Sequence, residues 1–186
     1  MRDFVIRWFG HGPEASYAAL APCFQQRVNR YTHPQARQQS IEAYTLLQAL
    51  LTRHAIPLQP LRLLPSGKWT MGPWFVSLTH CATGAAALIS TRNDSIDMEP
   101  VRPLSWKRVE KTLSAAEWHA LANSSRPEAA FMTFWTRKEA YIKQKSEAGD
   151  VSYRAIDTLA WAGRATSWES HGTIVTVLEE IETCNA

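Results

Sequence analysis

Ser95-Ile96-Asp97-Met98-Glu99 and, further along the chain, Phe134-Trp135-Thr136-Arg137-Lys138-Glu139-Ala140-Tyr141-Ile142-Lys143 are the two stretches on which the fold is read. The first alternates polar with apolar residues and is closed by Pro100 and Pro103, the pattern of a strand with one buried face. Residues two apart on such a strand point the same way, about 6.6 Å from each other, so Asp97 and Glu99 can converge on one cation while Ile96 and Met98 face inward. The second stretch is helix-forming. A helix sets Glu139 and Lys143 one turn apart on one face, so the acid can reach a metal while the ammonium reaches a phosphate bound to that metal. With Lys138 as a second cation, the two stretches outline a magnesium and diphosphate site. Each half alone has an ordinary explanation: edge strands alternate acids with apolar residues, and a Glu-to-Lys surface pair contributes only about 0.2–0.5 kcal/mol.

Working outward, the helix is expected to start at Pro127 and run to about Gln144, with Ser146 to Gly149 ending it. Ser114-Ala115-Ala116-Glu117 has the form of a capping box, so a short helix should run to about Ala122. After the long helix, strands are expected near 157–162, 165–169 and 173–178, the last rich in strand-forming Ile174, Val175 and Val177. Toward the N-terminus, residues 3–9 alternate as a strand ended by Gly10-His11-Gly12-Pro13, and a loop-rich connection follows. From Pro34 to about His54 a helical stripe runs through Ala36, Ala43, Leu46, Leu47, Leu50 and Leu51, and Ile56-Pro57 stops it. Strands are expected at 61–64, 73–79 and 85–91, with Trp74, Val76, Leu78 and His80 sharing a face. A strand, a long helix and then three strands thus occur twice, offset by about ninety residues. The fold class expected is α+β, with residues 1–92 as one half, 93–186 as the other, and Asn93-Asp94 at the join.

The chain has 186 residues, 45% of them hydrophobic, enough for an ordinary globular core. A net charge of +3 with no lysine or arginine tract suits an anionic ligand or an acidic protein partner and falls short of a nucleic-acid footprint. Charges interrupt the apolar N-terminal stretch, so neither a signal peptide nor a membrane span is expected there. Cys23, Cys81 and Cys184 are odd in number and scattered, with no metal-ligand spacing, which points to a reducing cytoplasm.

Gly67–Ile89 (GKWTMGPWFVSLTHCATGAAALI), Ser95–Pro103 (SIDMEPVRP) and Phe134–Gln144 (FWTRKEAYIKQ) resemble, in order and spacing, the three signature blocks of 4'-phosphopantetheinyl transferases of the surfactin-synthetase-activating type. The resemblance runs from about residue 36 to 160. It implies two pseudo-twofold-related α+β halves, each a long helix on a small antiparallel sheet, with the active site between them. It also implies transfer of the phosphopantetheine arm of coenzyme A to a serine of an apo acyl or peptidyl carrier protein, with magnesium, or alternatively manganese, as cofactor. A cytoplasmic monomer that uses neither nucleic acid nor membrane is expected.

By position, Asp97 and Glu99 match the family's metal acids, and Glu139 its helix acid, a metal ligand, a base, or both. Lys143 matches the lysine at the diphosphate, with Lys138 as second cation. His80 matches the histidine that hydrogen-bonds a phosphate of coenzyme A, and Lys68 stands in the Gly-Lys turn, with Trp69 where the family has proline. Ser95 replaces a glycine and Cys81 a serine. Tyr44-Thr45-Leu46-Leu47-Gln48 lacks both the Arg and the Gly of an Arg-x-Leu-Leu-Gly helix motif that holds the 3'-phosphate; Arg27, Arg30 or Arg37 could substitute, and Arg37 is the one assigned to the cofactor. Arg102, Arg108 and Arg137 could meet an acidic carrier-protein helix. Ser95, Tyr44 and Gln48 also motivate a second reading, a relative that binds a carrier protein or nucleotide without turnover.

Overall fold

The chain is described by a computed structural model over residues 1–65, 67–145, 152–161 and 163–181. It begins with β1 (Arg2–Trp8), α1 (Pro22–Val28) and α2 (Pro34–Arg53), followed by the strands β2 (Arg62–Leu63), β3 (Trp69–Met71), β4 (Trp74–His80), β5 (Gly84–Ser90) and β6 (Ser95–Pro100). Then come α3 (Trp106–Thr112), α4 (Ala115–Ala122), α5 (Pro127–Lys145), β7 (Ala165–Ser170) and β8 (Thr173–Leu178). The first five strands form one sheet in the order β1-β5-β4-β3-β2 and the last three a second in the order β6-β8-β7, with every pairing antiparallel. The expected α+β class is what the chain adopts.

Every residue of β5 is buried, and its alternation shows why. Ala85, Ala87 and Ile89 face α2, packing with Phe24, Leu47 and Leu50, whereas Ala86 and Leu88 face the second sheet and meet Ile96, Met98, Val175 and Val177. Small alanines let the layers approach, and each large side chain sealed between them contributes about 1.5–3 kcal/mol. Gly84 opens the strand because a Cβ there would stand 2.5 Å from the carbonyl of Arg7 on β1. Helix α5 covers the outer face of the second sheet, where Thr136 and Thr176 share a hydroxyl hydrogen bond of 2.7 Å and Phe131 packs with Ile174. The layers therefore run helix, sheet, sheet, helix.

Ser114 caps α4 as expected, its hydroxyl accepting the Glu117 N–H while Glu117 accepts the Ser114 N–H. The strand expected at 157–162 is instead a 3-10 turn at Thr158–Trp161. The Glu117 carboxylate takes both the N–H and the hydroxyl of Thr158, so that N–H is not available to a ladder. Helix α1 lies where a loop-rich connection was read, and α3 in a stretch to which no element was assigned. They are short, but Phe24 and Val28 of α1 and Val109 of α3 are fully buried. The helix end read at Ser146 to Gly149, and Cys184, lie outside the described residues. Among the described residues no helix is long and apolar enough to cross a membrane.

Candidate active site

A cleft of about 330 Å³ opens between α2 and the C-terminal part of α5, lined among others by Tyr31, Tyr44, Lys68, Trp69, His80 and Lys143. Val76, Leu78 and His80 reach it from one face of β4, as the alternation of that strand requires. Three basic residues picked from two of the blocks, Lys68 and His80 from the first and Lys143 from the third, are thus brought to one cavity. Tyr31 meets the His80 ring edge-on, with centroids 6.1 Å apart.

The cleft borders a seam between the two sheets. Ser77 on β4 accepts the Ile96 N–H at 3.1 Å, and Lys143 on α5 donates to the carbonyls of Leu78 on β4 and Ile96 on β6. The ammonium therefore bridges the two strands as well as facing the cavity.

Burial depresses His80, and the nearby Lys143 charge adds to the effect. The same two causes, in the same order, bring Lys68 down to about 7. Although it stands in a turn, Lys68 is not solvated. It is 2% exposed, and its ammonium donates to the Asp94 carbonyl at 2.8 Å. Both groups are poised to gain a proton beside an anion.

Strand register fixes the acids. Asp97 stands opposite Thr176 and Glu99 opposite Ile174, so both lie on the face that α5 covers. Asp97 Oδ1 accepts from the Thr79 hydroxyl at 3.0 Å and from Lys143 Nζ at 2.7 Å, whereas its Oδ2 is buried with no hydrogen-bond partner. Glu99 lies 3.6 Å from the Arg102 guanidinium, and Glu139 accepts the Tyr153 hydroxyl at 2.7 Å. Among the described residues no three His, Cys, Asp or Glu side chains stand as a group that could hold a metal ion. A closed cage of Asp97, Glu99 and Glu139 is therefore not formed among them. The residues nevertheless fit magnesium, which is usually held by one or two carboxylates plus substrate phosphates and waters, and a buried carboxylate oxygen without a donor is the kind of atom such an ion satisfies.

Asp97, Glu99 and Glu139 do not line the cleft, and neither do two further assigned residues, Lys138 and Arg37. Lys138 has a fully buried side chain that pairs with Glu117 at 2.7 Å and donates to the carbonyls of Tyr153 and Ile156; burial lowers it, and Glu117 opposes that shift. It is enclosed on the side of α5 away from Thr136, where Glu117 of α4 and the carbonyls of Tyr153 and Ile156 surround it. Arg37 lies over the Tyr17 ring, 4.6 Å from its centroid, and donates to Asn29 at 3.2 Å. Arg27 is the arginine nearer the cavity, stacked 3.9 Å from the centroid of Trp69.

At the other departures, Ser95 is buried with an ordinary backbone φ and donates to the Ala140 carbonyl, so the hydroxyl ties β6 to α5. Cys81 packs in the core between the sheets instead of lining the cleft. Gln48 fastens the 19–21 segment to α2 through the Ala21 N–H and the Ala19 carbonyl. Tyr44, stacked on Phe24, presents a phenol whose pKa burial raises. Arg102 is engaged with Glu99 and Arg137 with Ser167, while the Arg108 side chain lies outside what the structure describes.

Sequence reasoning missed Thr79, Ser77 and Tyr153. Thr79 and Ser77 alternate with His80 and Leu78, a signal that they face the second sheet, but only the pairing of the sheets reveals what they meet.

Residues 95–176, which include Asp97, Glu99, Glu139 and Lys143, match the family model described as the 4'-phosphopantetheinyl transferase superfamily. Proteins of Salmonella typhi and of Salmonella typhimurium, each named 4'-phosphopantetheinyl transferase AcpT, are 33% identical to this chain over 106 residues. Each match covers 53% of this chain and 55% of the relative, so the chain spans about half the length of the relatives it matches.

Proposed function

We propose, from the match of residues 95–176 to the 4'-phosphopantetheinyl transferase superfamily, that this chain transfers the 4'-phosphopantetheine arm of coenzyme A to a serine of an apo carrier protein, acyl or peptidyl, releasing adenosine 3',5'-bisphosphate. The observation that carries this reading is the common cleft of Lys68, His80 and Lys143, cationic or protonatable groups suited to a diphosphate, beside a buried Asp97 oxygen without a partner. Reactions of this kind depend on positioning and on neutralising charge at the phosphates, and the enzyme needs no nucleophile of its own.

In this reading Asp97, with Glu99 and Glu139, would hold a magnesium ion, which when bound polarises the diphosphate and screens its charge. His80 and Lys68 bind the phosphates and take up protons as they do so. Lys143 orients Asp97 and faces the departing bisphosphate. Glu139, fixed by the Tyr153 hydroxyl, is the base for the incoming serine. Residues 1–92 and 93–186 act as two pseudo-symmetric halves of one cytoplasmic monomer, with the cleft at their junction.

The test is incubation with coenzyme A, magnesium and an apo carrier protein, followed by mass spectrometry. The carrier should gain the mass of the arm. No gain across acyl and peptidyl carriers, with the protein folded, would end the catalytic reading.

A second reading, a binding protein without turnover, draws on Tyr44 and Gln48 in the first long helix, since Gln48 holds a neighbouring segment where a glycine would leave the backbone open. Calorimetry separates the two. Magnesium-dependent coenzyme A affinity that Asp97→Ala abolishes supports the enzyme, and tight carrier binding without coenzyme A affinity supports the binder.

A further inference from the structure

Asp97 is held by one oxygen. Its Oδ1 accepts two hydrogen bonds, from Thr79 and from Lys143, and its Oδ2 accepts none. A carboxylate satisfied on one side and bare on the other has a fixed plane and a single atom left for coordination. The two donors differ in what they can do when a ligand arrives. Lys143 lines the cleft on a flexible stem, and a phosphate there would compete for its ammonium. Thr79 is 7% exposed and does not line the cleft, and its backbone is locked in the β4–β5 ladder opposite Ala86. Its hydroxyl cannot follow a ligand.

Packing alone does not call for a hydroxyl on this face. It looks onto the second sheet, where valine would fill the same space, and a buried hydroxyl is tolerated only with a partner. The neighbour two residues back on the same face, Ser77, uses its hydroxyl on the Ile96 backbone, so β4 grips β6 at two successive positions, once by the main chain and once by the acid.

We propose that Thr79 is a positioning residue: its hydroxyl sets the rotation of the Asp97 carboxylate so that Oδ2 is presented to a divalent cation. This rests on the reading of Asp97 as a cation ligand. Groups that orient a metal ligand from behind commonly change metal affinity by about 10–100-fold when removed.

The experiment titrates manganese alone, without coenzyme A or carrier, into wild type, Thr79→Val, Thr79→Ser and Asp97→Asn, following free ion by electron paramagnetic resonance and fold by circular dichroism. Thr79→Val should weaken manganese binding by about tenfold or more and Thr79→Ser should stay within about twofold of wild type, because serine keeps the hydroxyl. Thr79→Ala carries the same test if the valine variant does not fold. Wild-type affinity in Thr79→Val, or a serine variant as weak as valine, overturns the positioning role while leaving Asp97 as ligand. Undiminished binding in Asp97→Asn overturns the ligand reading and the Thr79 role with it.

Discussion

The Lys143 ammonium and the Asp97 carboxylate meet at 2.7 Å where α5 crosses β6, and the lysine has no hydrogen to spare. Its other two bonds go to the carbonyls of Ile96 at 3.0 Å and Leu78 at 3.2 Å. In this arrangement Lys143 is an internal counter-ion joining α5, β4 and β6, and a phosphate must draw it away from at least one of these acceptors. Under the proposed function its structural and ligand-binding roles would therefore be coupled.

Removing that ammonium should cost stability. Lys143 is 28% exposed and Asp97 8%, so the loss falls short of the about 3–5 kcal/mol of a fully buried pair, and Lys143→Met is expected to lose about 1–3 kcal/mol in urea denaturation. Adding Asp97→Asn to that variant should recover part of the loss, since the uncompensated charge is then gone. A single variant as stable as wild type to within about 0.5 kcal/mol would mean the pair does not tie the layers together.

Ligand binding should be linked to protons through Lys68 and His80. Lys68, brought to about 7 by burial and by Lys143, is mostly neutral at pH 8, and a bound diphosphate restores its charge, so coenzyme A binding should take up as much as about one proton. Calorimetry in buffers of different ionisation enthalpy measures this, and Lys68→Met should remove most of it. For stability the sign is the opposite of a paired lysine. Because the folded value lies below the ordinary 10.5, the unfolded chain holds more protons between about pH 7 and 10.5, so Lys68 makes stability rise with pH across that window and Lys68→Met should flatten the slope. The His80 proton resonances should titrate below the ordinary 6.5 and move upward with coenzyme A; no movement would remove His80 from the phosphate site.

The arginines provide a discriminating pair. Arg37 is committed to Tyr17 and Asn29, whereas Arg27 stacks on Trp69, which lines the cleft. Arg37→Gln is expected to leave coenzyme A affinity within about twofold, and Arg27→Gln to lower it by about tenfold, the usual scale of one charge-assisted contact. The reverse result in equilibrium binding would restore Arg37 as the anion-binding arginine.

What the sequence discloses here divides along physical lines. Strands and helices whose period is written in a single segment were legible: the alternation of Ser95–Glu99, the Ser114 capping box, the apolar stripe of α2. So was the common face of Val76, Leu78 and His80. Short elements stabilised only by distant partners were not. Helix α1 exists because Phe24 and Val28 find the α2 core, and the 158–161 turn because Glu117 seizes Thr158. Among the candidate site residues, Lys68, His80 and Lys143 could be picked by motif, but which buried lysine serves the cleft and which serves the core could not. That choice depends on the side of α5 a neighbouring acid occupies, and Glu117 lies in another helix.

Lys138 should therefore behave as a core residue. Its side chain and that of Glu117 are both 0% exposed, and its ammonium also holds the carbonyls of Tyr153 and Ile156, anchoring the segment from which the Tyr153 hydroxyl reaches Glu139. In Lys138→Met the Glu117 carboxylate keeps its bonds from Thr158 and Ser114 but loses its only cation within ion-pair distance among the described residues, a change expected to cost about 3–5 kcal/mol. The folded fraction should still bind coenzyme A with wild-type affinity, because Lys138 does not line the cleft. Thermal denaturation and equilibrium binding on the same sample separate the two roles. A variant that melts like wild type but has lost coenzyme A affinity would put Lys138 back among the ligands and would require α5 to turn a different face to the cleft.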